Sequence, residues 1–290
     1  MFDALSRSHK LTKMSWRVLM ADKEMLLFPF LGGVFSILFL VAVLFPTVFV
    51  QFLVENSETS GEIVFGTLQY IGLFITYFGL AFIATFFNVC TVYTTKARFD
   101  GGDASFMDSI KFAFSRIHLI AAWSTVSATF GLLMRAIDHA AERAGIVGEI
   151  LLRIVQGLLS AAWSITTLFV VPAMVYEGVG PFAAIKSSVN AIQETWGESL
   201  IRHFGLGWMQ SIFIFLGLIV GIPLIVVTAQ IPPAVATVVG GLIVYLTIVV
   251  LVFNVMNSIF NTALYVYANT GKCPGDWDDD LMSHVFAPKA

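Results

Sequence analysis

The chain has 290 residues, of which 58% are hydrophobic and only 12% are charged, and its formal net charge is −3. Soluble proteins carry about 25% charged residues, so this composition excludes an ordinary soluble domain and indicates that lipid solvates much of the surface. A nucleic-acid-binding protein is also excluded, because the chain has no excess of positive charge with which to neutralise phosphates. The sequence therefore predicts an all-α membrane protein.

Six apolar stretches are long enough to cross a hydrocarbon core of about 30 Å as α-helices. They predict a transmembrane domain over residues 26–268, with a cytosolic amphipathic helix over 1–25 and a cytosolic acidic tail with a short helix over 269–290. The first span, which contains Pro46, is longer than the core, so we expect tilt or a proline kink there. In the fifth span we expect a break near Pro223. The predicted spans are 26–54, 63–95, 117–134, 150–176, 204–228 and 234–267.

The distribution of Lys and Arg predicts the orientation in the membrane. Residues 1–25, 96–118, 177–203 and 268–290 hold 5, 4, 2 and 2 of these residues, which is 13 of the 16 in the chain. Lys and Arg accumulate on the cytosolic side of membrane proteins. We therefore expect six spans with both termini in the cytosol.

A catalytic or metal site is not expected. The two Cys and five His residues match no metal-ligand spacing, and there is no nucleophile with a neighbouring base and no phosphate-binding loop. No charged residue lies in the middle of a predicted span, which argues against proton-coupled transport. We expect neither enzymatic activity nor a cofactor.

The segment after the fourth span is predicted to form an elbow. The apolar helix leaves the membrane near Pro172, reaches its first carboxylate at Glu177 and turns at Gly178–Val179–Gly180–Pro181. An apolar stripe with helical spacing follows, formed by Phe182, Ile185, Val189, Ile192 and Trp196. We therefore expect a helix in the membrane interface, with Glu177 either capping that helix or facing a cavity.

Comparable short amphipathic segments precede the first and third spans. In residues 1–25 the stripe consists of Leu11, Met14, Val18, Ala21 and Met25, and it indicates a basic helix on the anionic cytosolic leaflet or, alternatively, a disordered tail that only sets topology. The second segment follows Gly101–Gly102, with Asp103 as the expected N-cap. Its stripe consists of Phe106, Ile110, Ala113 or Phe114, and Ile117. The chain is thus predicted to repeat a short helix and a transmembrane hairpin three times.

Polar and small residues inside the spans are the remaining candidates for function. The polar set consists of Asn88, Thr91, Asn254, Asn257 and Asn261, and it predicts either a polar pathway or hydrogen bonding between the second and sixth spans. The third span carries Ser124, Ser127, Ala128 and Gly131, whose spacing predicts a close helix-packing face. The fourth span offers Gly157 with Ala161 and Ser160 with Ser164.

Several short motifs together resemble a known family. They are Ser15–Trp16 before Asp22–Lys23–Glu24, Pro172 with the residues 177–181, Lys186–Ser187, Thr195–Trp196–Gly197–Glu198, and Ala263–Leu264–Tyr265–Val266–Tyr267. The combination resembles an uncharacterised family of bacterial and archaeal multi-pass membrane proteins that carries a domain of unknown function. The resemblance implies a six-span architecture in a prokaryotic cell membrane and assigns no catalytic residue.

Two functions remain open from the sequence. The first is a non-enzymatic membrane protein that self-associates or organises other membrane components, with the lipid bilayer, a second copy or another membrane protein as its partner. The second is a channel or permease for a small or amphipathic solute. A scaffold should fail when bulky residues replace Ser124 or Gly131, whereas a conduit should fail with Asn88→Leu or Asn257→Leu.

Overall fold

The computed structural model describes residues 2–55, 62–196 and 205–274, and the regular secondary structure in these ranges is helical. The all-α prediction is confirmed. The elements are α1 (Phe2–Ala21), a 3-10 helix (Lys23–Leu26), α2 (Leu27–Glu55), α3 (Glu62–Phe99), α4 (Phe106–Ser115), α5 (Ile117–Arg143), α6 (Gly145–Thr166), α7 (Val170–Tyr176), α8 (Pro181–Trp196), α9 (Gly205–Thr228) and α10 (Pro232–Thr270). The short helix predicted in the acidic tail lies outside the described residues.

Within the described ranges, six helical segments are long and apolar enough to cross a membrane, which confirms the predicted six-helix membrane architecture. Many of their large apolar side chains are exposed on the protein surface, as expected when lipid is the solvent. The segments are Lys23–Pro46, Ile71–Phe99, Ile117–Arg143, Gly145–Tyr176, Met209–Thr228 and Pro232–Thr270.

The order of the elements repeats along the chain. A short helix is followed by two long helices in α1–α2–α3, again in α4–α5–α6 and again in α8–α9–α10. The helix α7 is an addition to this order, inserted between the second and third sets. Each set has the order predicted for an amphipathic helix and a transmembrane hairpin.

The fourth span is divided, which the sequence did not predict. The helix α6 ends at Thr166, and α7 starts at Val170. Pro172 has no N–H to donate to the carbonyl of Leu168, and its ring would collide with that carbonyl in a continuous helix. A new helix therefore begins just before the proline, so that Pro172 lies in its first turn, where no donor is needed. By contrast, α2 continues through Pro46 and α9 through Pro223, so the break expected near Pro223 does not occur.

The first compact unit contains the described parts of residues 1–29, 94–106 and 191–290. In it, α1 packs against α9 and α10, and Leu19 of α1 and Ile259 of α10 are fully buried. The hairpin of α9 and α10 is tied by Tyr245, whose hydroxyl donates to the carbonyl of Phe213 at 2.8 Å.

The second compact unit contains residues 30–93 and 107–190 where they are described. Its hairpin of α5 and α6 is held by aromatic stacking. The ring of Trp163 is parallel to those of Trp123 and Phe130, with centroid separations of 5.6 and 4.1 Å. The predicted elbow at residues 177–181 belongs to this unit.

Candidate functional site

The predicted elbow joins α7 to α8 within the second unit. The last turn of α7 closes with the N–H of Gly178 donating to the carbonyl of Met174 at 3.2 Å. Gly178 has a φ of +69°, a left-handed conformation that glycine adopts without the steric cost of a Cβ. Pro181 then starts α8, where its fixed φ suits the first helical position.

Two neighbouring hydroxyls hold α8 against the end of the fourth span. Ser187 Oγ donates to Glu177 Oε1 at 2.5 Å. Ser188 Oγ is fully buried and accepts a hydrogen bond from the N–H of Phe169 at 3.1 Å. This second bond pairs a backbone donor released by the interruption between α6 and α7. The first bond, from Ser187, connects Glu177 to the second turn of α8.

Arg116 connects the elbow to the start of the third span. It is the single residue between α4 and α5, and its guanidinium lies over Gly178, where an added Cβ would come within 2.8 Å of Nη1. The same guanidinium lies 5.6 Å from the centroid of the Phe112 ring, within cation–π range. Sequence reasoning missed Arg116, because nothing local links it to a glycine 62 positions away.

The short helices of this unit bury a face of small residues that the sequence analysis did not single out. In α8 the buried residues include Ala184 and Ser188, and in α4 they are Ser109 and Ala113. The apolar stripe predicted for α8 is only half-buried at Ile185, Val189 and Ile192, and Phe182 is exposed. The side chain of Trp196, the last residue of α8, lies outside the described part.

The helix α1, in the first unit, also buries a face other than its predicted apolar stripe. Its buried face contains Ser15 and Leu19, because this face meets α9 and α10. In the predicted stripe, Met14 and Val18 are half-buried, Ala21 is exposed and Met25 is buried. The side chain of Leu11 is not among the described ones.

An ion-pair cluster lies at the end of α3 in the first unit. Arg98 Nη2 lies 2.7 Å from Asp103 Oδ1, and Arg98 Nε lies 3.5 Å from Asp22 Oδ2. The Asp22 side chain is only 7% exposed. Burial raises the pKa of the Asp22 carboxyl above its ordinary value, although the nearby Arg98 acts to lower it.

A carboxylate from a distant part of the chain caps α4. Glu24 Oε2 accepts a hydrogen bond from the N–H of Phe106 at 3.2 Å, and Phe106 is the first residue of that helix. The prediction of Asp103 as the N-cap was wrong, because Asp103 lies three residues before the helix and pairs with Arg98 instead. The capping residue Glu24 therefore lies 82 residues before Phe106 in the sequence.

The predicted polar set falls into two groups. Asn88 and Thr91 lie on α3 in the second unit, where the Thr91 hydroxyl donates to the carbonyl of Phe87 at 3.1 Å. Asn254, Asn257 and Asn261 lie along one stripe of α10 in the first unit. Asn254 is exposed and the other two are half-buried, and none of these three side chains hydrogen-bonds within the part of the chain that the structure describes. A common polar site for both groups stays a prediction.

The small residues of α5 lie against other parts of the second unit. Ser124 is fully buried and donates to the carbonyl of Ile120 at 2.7 Å, and Ala128 is also buried. An added Cβ at Gly131 would lie 3.3 Å from the ring of Tyr77 on α3. Ser127 is half-buried. Gly131 therefore lets α5 and α3 approach within the protein itself.

The described ranges include both cysteines of the chain and residues of the other metal-ligating types. They contain no group of three or more His, Cys, Asp and Glu residues arranged to hold a metal ion. Cys90 is buried and Cys273 is partly exposed, and both are free thiols.

Comparison with known proteins places the chain in a family. No curated protein and no solved structure matches it. A family of unknown function, DUF6159, matches residues 67–275, which is well over half of the chain. The matched region includes the elbow, Arg116 and the asparagine stripe of α10. The resemblance to an uncharacterised family is thus confirmed, and this membrane-spanning helical protein belongs to DUF6159, a family of unknown function.

Proposed function

We propose that the protein is a non-enzymatic component of a prokaryotic cell membrane that self-associates and thereby organises other membrane components. The observation that supports this proposal is an exposed stripe of small residues on α6. Gly157, Ala161 and Ser164 follow one another at four and three residues and are all exposed. No described neighbouring atom lies within 4 Å of the position that a Cβ at Gly157 would occupy.

The stripe on α6 differs from Gly131 and Gly221, two small residues of other spans that lie close to neighbouring side chains. Gly131 contacts Tyr77, and a Cβ on Gly221 would come within 2.9 Å of Leu242. These glycines serve packing within the chain, whereas Gly157 has room for a second helix. In lipid, helices associate by close packing of small residues, since apolar burial gives no driving force there. A second copy of the chain therefore fits this stripe.

The test of self-association is native mass spectrometry of protein extracted in a mild detergent. Gly157→Leu should shift the population from oligomer to monomer, because the added side chain prevents close approach. Gly33→Leu is the matched control, since Gly33 is also an exposed glycine of a span with nothing near its Cβ position, but Pro29 and Ile37, not small residues, lie four positions from it. An oligomer that survives Gly157→Leu, or that is lost equally in both variants, contradicts the proposal.

The second candidate is a channel or permease for a small or amphipathic solute. It is favoured by the stripe of Asn254, Asn257 and Asn261, whose amides find no partner in the described residues although they lie within a span. A polar side chain in hydrocarbon is costly unless water or another polar group meets it. A water-filled path along α10 would satisfy all three amides.

Solute flux into proteoliposomes separates the two functions. A conduit should lose flux with Asn257→Leu and keep it with Asn190→Leu, which removes an exposed amide from α8. A scaffold should show no protein-dependent flux in either variant, while Gly157→Leu abolishes its association.

The orientation proposed for this function has both termini in the cytosol. It is supported by the excess of Lys and Arg on the segments that flank the spans on that side. Fusion of a reporter that is active only outside the cytosol should be silent at either terminus and active at Ala144, in the connection between α5 and α6. The reverse result would invert the orientation.

A further inference from the structure

Two short helices of the second unit are connected directly to the ends of candidate membrane spans. One residue lies between α4 and α5, and four residues lie between α7 and α8. With 10 and 16 residues, α4 and α8 are about 15 and 24 Å long, too short to cross a core of about 30 Å. The contact between Arg116 and Gly178 shows that the two junctions adjoin.

Both helices present cations and large apolar side chains on the face opposite to their buried small residues. On α4, Met107, Lys111 and Phe114 follow at four and three residues, and Met107 and Phe114 are 54% and 57% exposed. On α8, Phe182 is 77% exposed and Lys186 follows four residues later. We call these five residues the boundary face.

The cations at the boundary face take part in none of the ion pairs of the described ranges, although the exposed carboxylate of Asp108 lies three residues before Lys111 on α4. Lys111, Lys186 and the adjoining Arg116 have no ion-pair partner in the described ranges. The nearby carboxylate of Glu177 accepts the hydroxyl of Ser187. The boundary face thus combines free positive charge with apolar side chains that water solvates poorly.

We propose that the boundary face binds anionic phospholipids of the membrane that the protein spans. The side chains of Met107, Phe114 and Phe182 enter the acyl-chain region, and the two lysine ammonium groups extend to the lipid phosphates. An acidic protein segment fits less well, because it would leave the exposed surface of these large apolar groups in water. The surface is also fixed at the depth where headgroups lie.

The helix α1 has a similar outward face in the first unit. Lys13, Trp16, Arg17 and Met20 are all exposed there, on the side away from Ser15 and Leu19. The same alternation of cations and large apolar groups therefore recurs on each of the three short helices.

The first measurement is lipid retention by native mass spectrometry. The purified full chain is mixed with phosphatidylglycerol and phosphatidylcholine in detergent. Lys111→Gln with Lys186→Gln should lower phosphatidylglycerol retention by about fivefold for each lysine removed and leave phosphatidylcholine unchanged. The control combines Lys272→Gln with Arg135→Gln, two exposed cations elsewhere in the chain, and should retain both lipids like the wild type.

The second measurement tests insertion independently of charge. In a variant with Cys90→Ala and Cys273→Ser, a nitroxide label at Phe182→Cys should be more accessible to oxygen than to a water-soluble nickel complex. A label at Lys272→Cys should show the reverse. All substituted boundary residues are exposed, so each variant should fold.

Three results would overturn the proposal. They are unchanged phosphatidylglycerol retention in the double lysine variant, an equal loss in the control, and a label at position 182 that is as accessible to the nickel complex as the label at 272. Retention of an acidic protein in place of lipid would point to the other occupant and would also overturn it.

Discussion

The glycine at the centre of the elbow gives the most direct test of the structure. Gly178→Ala places a Cβ at a φ of +69°, which costs roughly 1–2 kcal/mol for a residue other than glycine. The Cβ also falls 2.8 Å from Arg116 Nη1 and 3.2 Å from its Cζ, so the guanidinium must move away from Gly178. If this movement also breaks its contact with Phe112, a further ~0.5–1 kcal/mol is lost.

The expected loss in the free energy of unfolding is therefore roughly 1.5–3 kcal/mol. The assay is titration of the detergent-solubilised protein with a denaturing detergent, followed by far-ultraviolet circular dichroism. Gly180→Ala is the matched control, because Gly180 lacks a positive φ and has nothing within 4 Å of its Cβ position. It should change the free energy by less than about 0.5 kcal/mol.

The loss of unfolding free energy has a backbone part and a part from the Arg116 contact, and Arg116→Ala separates the two. In that background Gly178→Ala should cost only the backbone part, roughly 1–2 kcal/mol, so the two substitutions should be non-additive. Equal losses for Gly178→Ala and Gly180→Ala would refute the left-handed elbow. Strict additivity with Arg116→Ala would refute the contact between the guanidinium and the glycine.

Four further results are expected. Ser188→Ala should cost about 1–3 kcal/mol of unfolding free energy because it removes the buried hydroxyl that accepts from the Phe169 N–H. Ser187→Ala, at an exposed bond, should cost less in the same titration. Trp163→Leu should cost about 1–3 kcal/mol by removing two stacked pairs, measured against Phe215→Leu at an exposed position of α9. Gly131→Leu should lower stability by about 1–3 kcal/mol through overpacking against Tyr77, whereas Gly157→Leu should change the oligomer without lowering stability. Burial raises the pKa of Asp22 from 3.8, so above pH 3.8 the folded state binds more protons than the unfolded state. The stability of the wild type should therefore fall as the pH rises from 3.8 to the raised pKa. Asp22→Asn should remove this dependence of stability on pH.

The spans and the elbow could be predicted because their causes are local. A run of apolar residues longer than a bilayer core specifies a span regardless of its neighbours. Gly178 and Pro181 mark a helix end and a helix start by their own backbone preferences. These features need no information about tertiary contacts, and the structure has a turn and a new helix at this place.

The division of the fourth span could not be predicted because its stabilising partner is remote. The sequence predicts that the chain leaves the membrane near Pro172. In the structure, the main effect of Pro172 is to interrupt the fourth span between Thr166 and Val170. The interruption frees the N–H of Phe169, and the partner that accepts it is Ser188, 19 residues further along the chain. Asp22 with Arg98, and Glu24 with Phe106, are likewise pairs that only the fold brings together.

The buried faces of the short helices were missed for a different reason. Hydrophobic periodicity finds the most apolar stripe of a helix, and this stripe is the buried one when the helix has a single apolar neighbour. The short helices pack on the protein on one side. If the boundary face binds phospholipids as proposed, lipid is a second apolar neighbour on the other side. Small residues such as Ala184 and Ser188 allow close packing on the protein, so the large residues are left for the other side.

The surface proposed for self-association and the one proposed for lipid binding use different elements, and this separation makes them independently testable. Gly157 lies on α6, whereas Lys111 and Lys186 lie on α4 and α8. If the two surfaces act independently, Gly157→Leu should disrupt the oligomer without changing phosphatidylglycerol retention, and the double lysine variant should do the opposite. If the lysine variant also loses its oligomer, anionic lipid takes part in holding the copies together, and the stripe on α6 is insufficient without it.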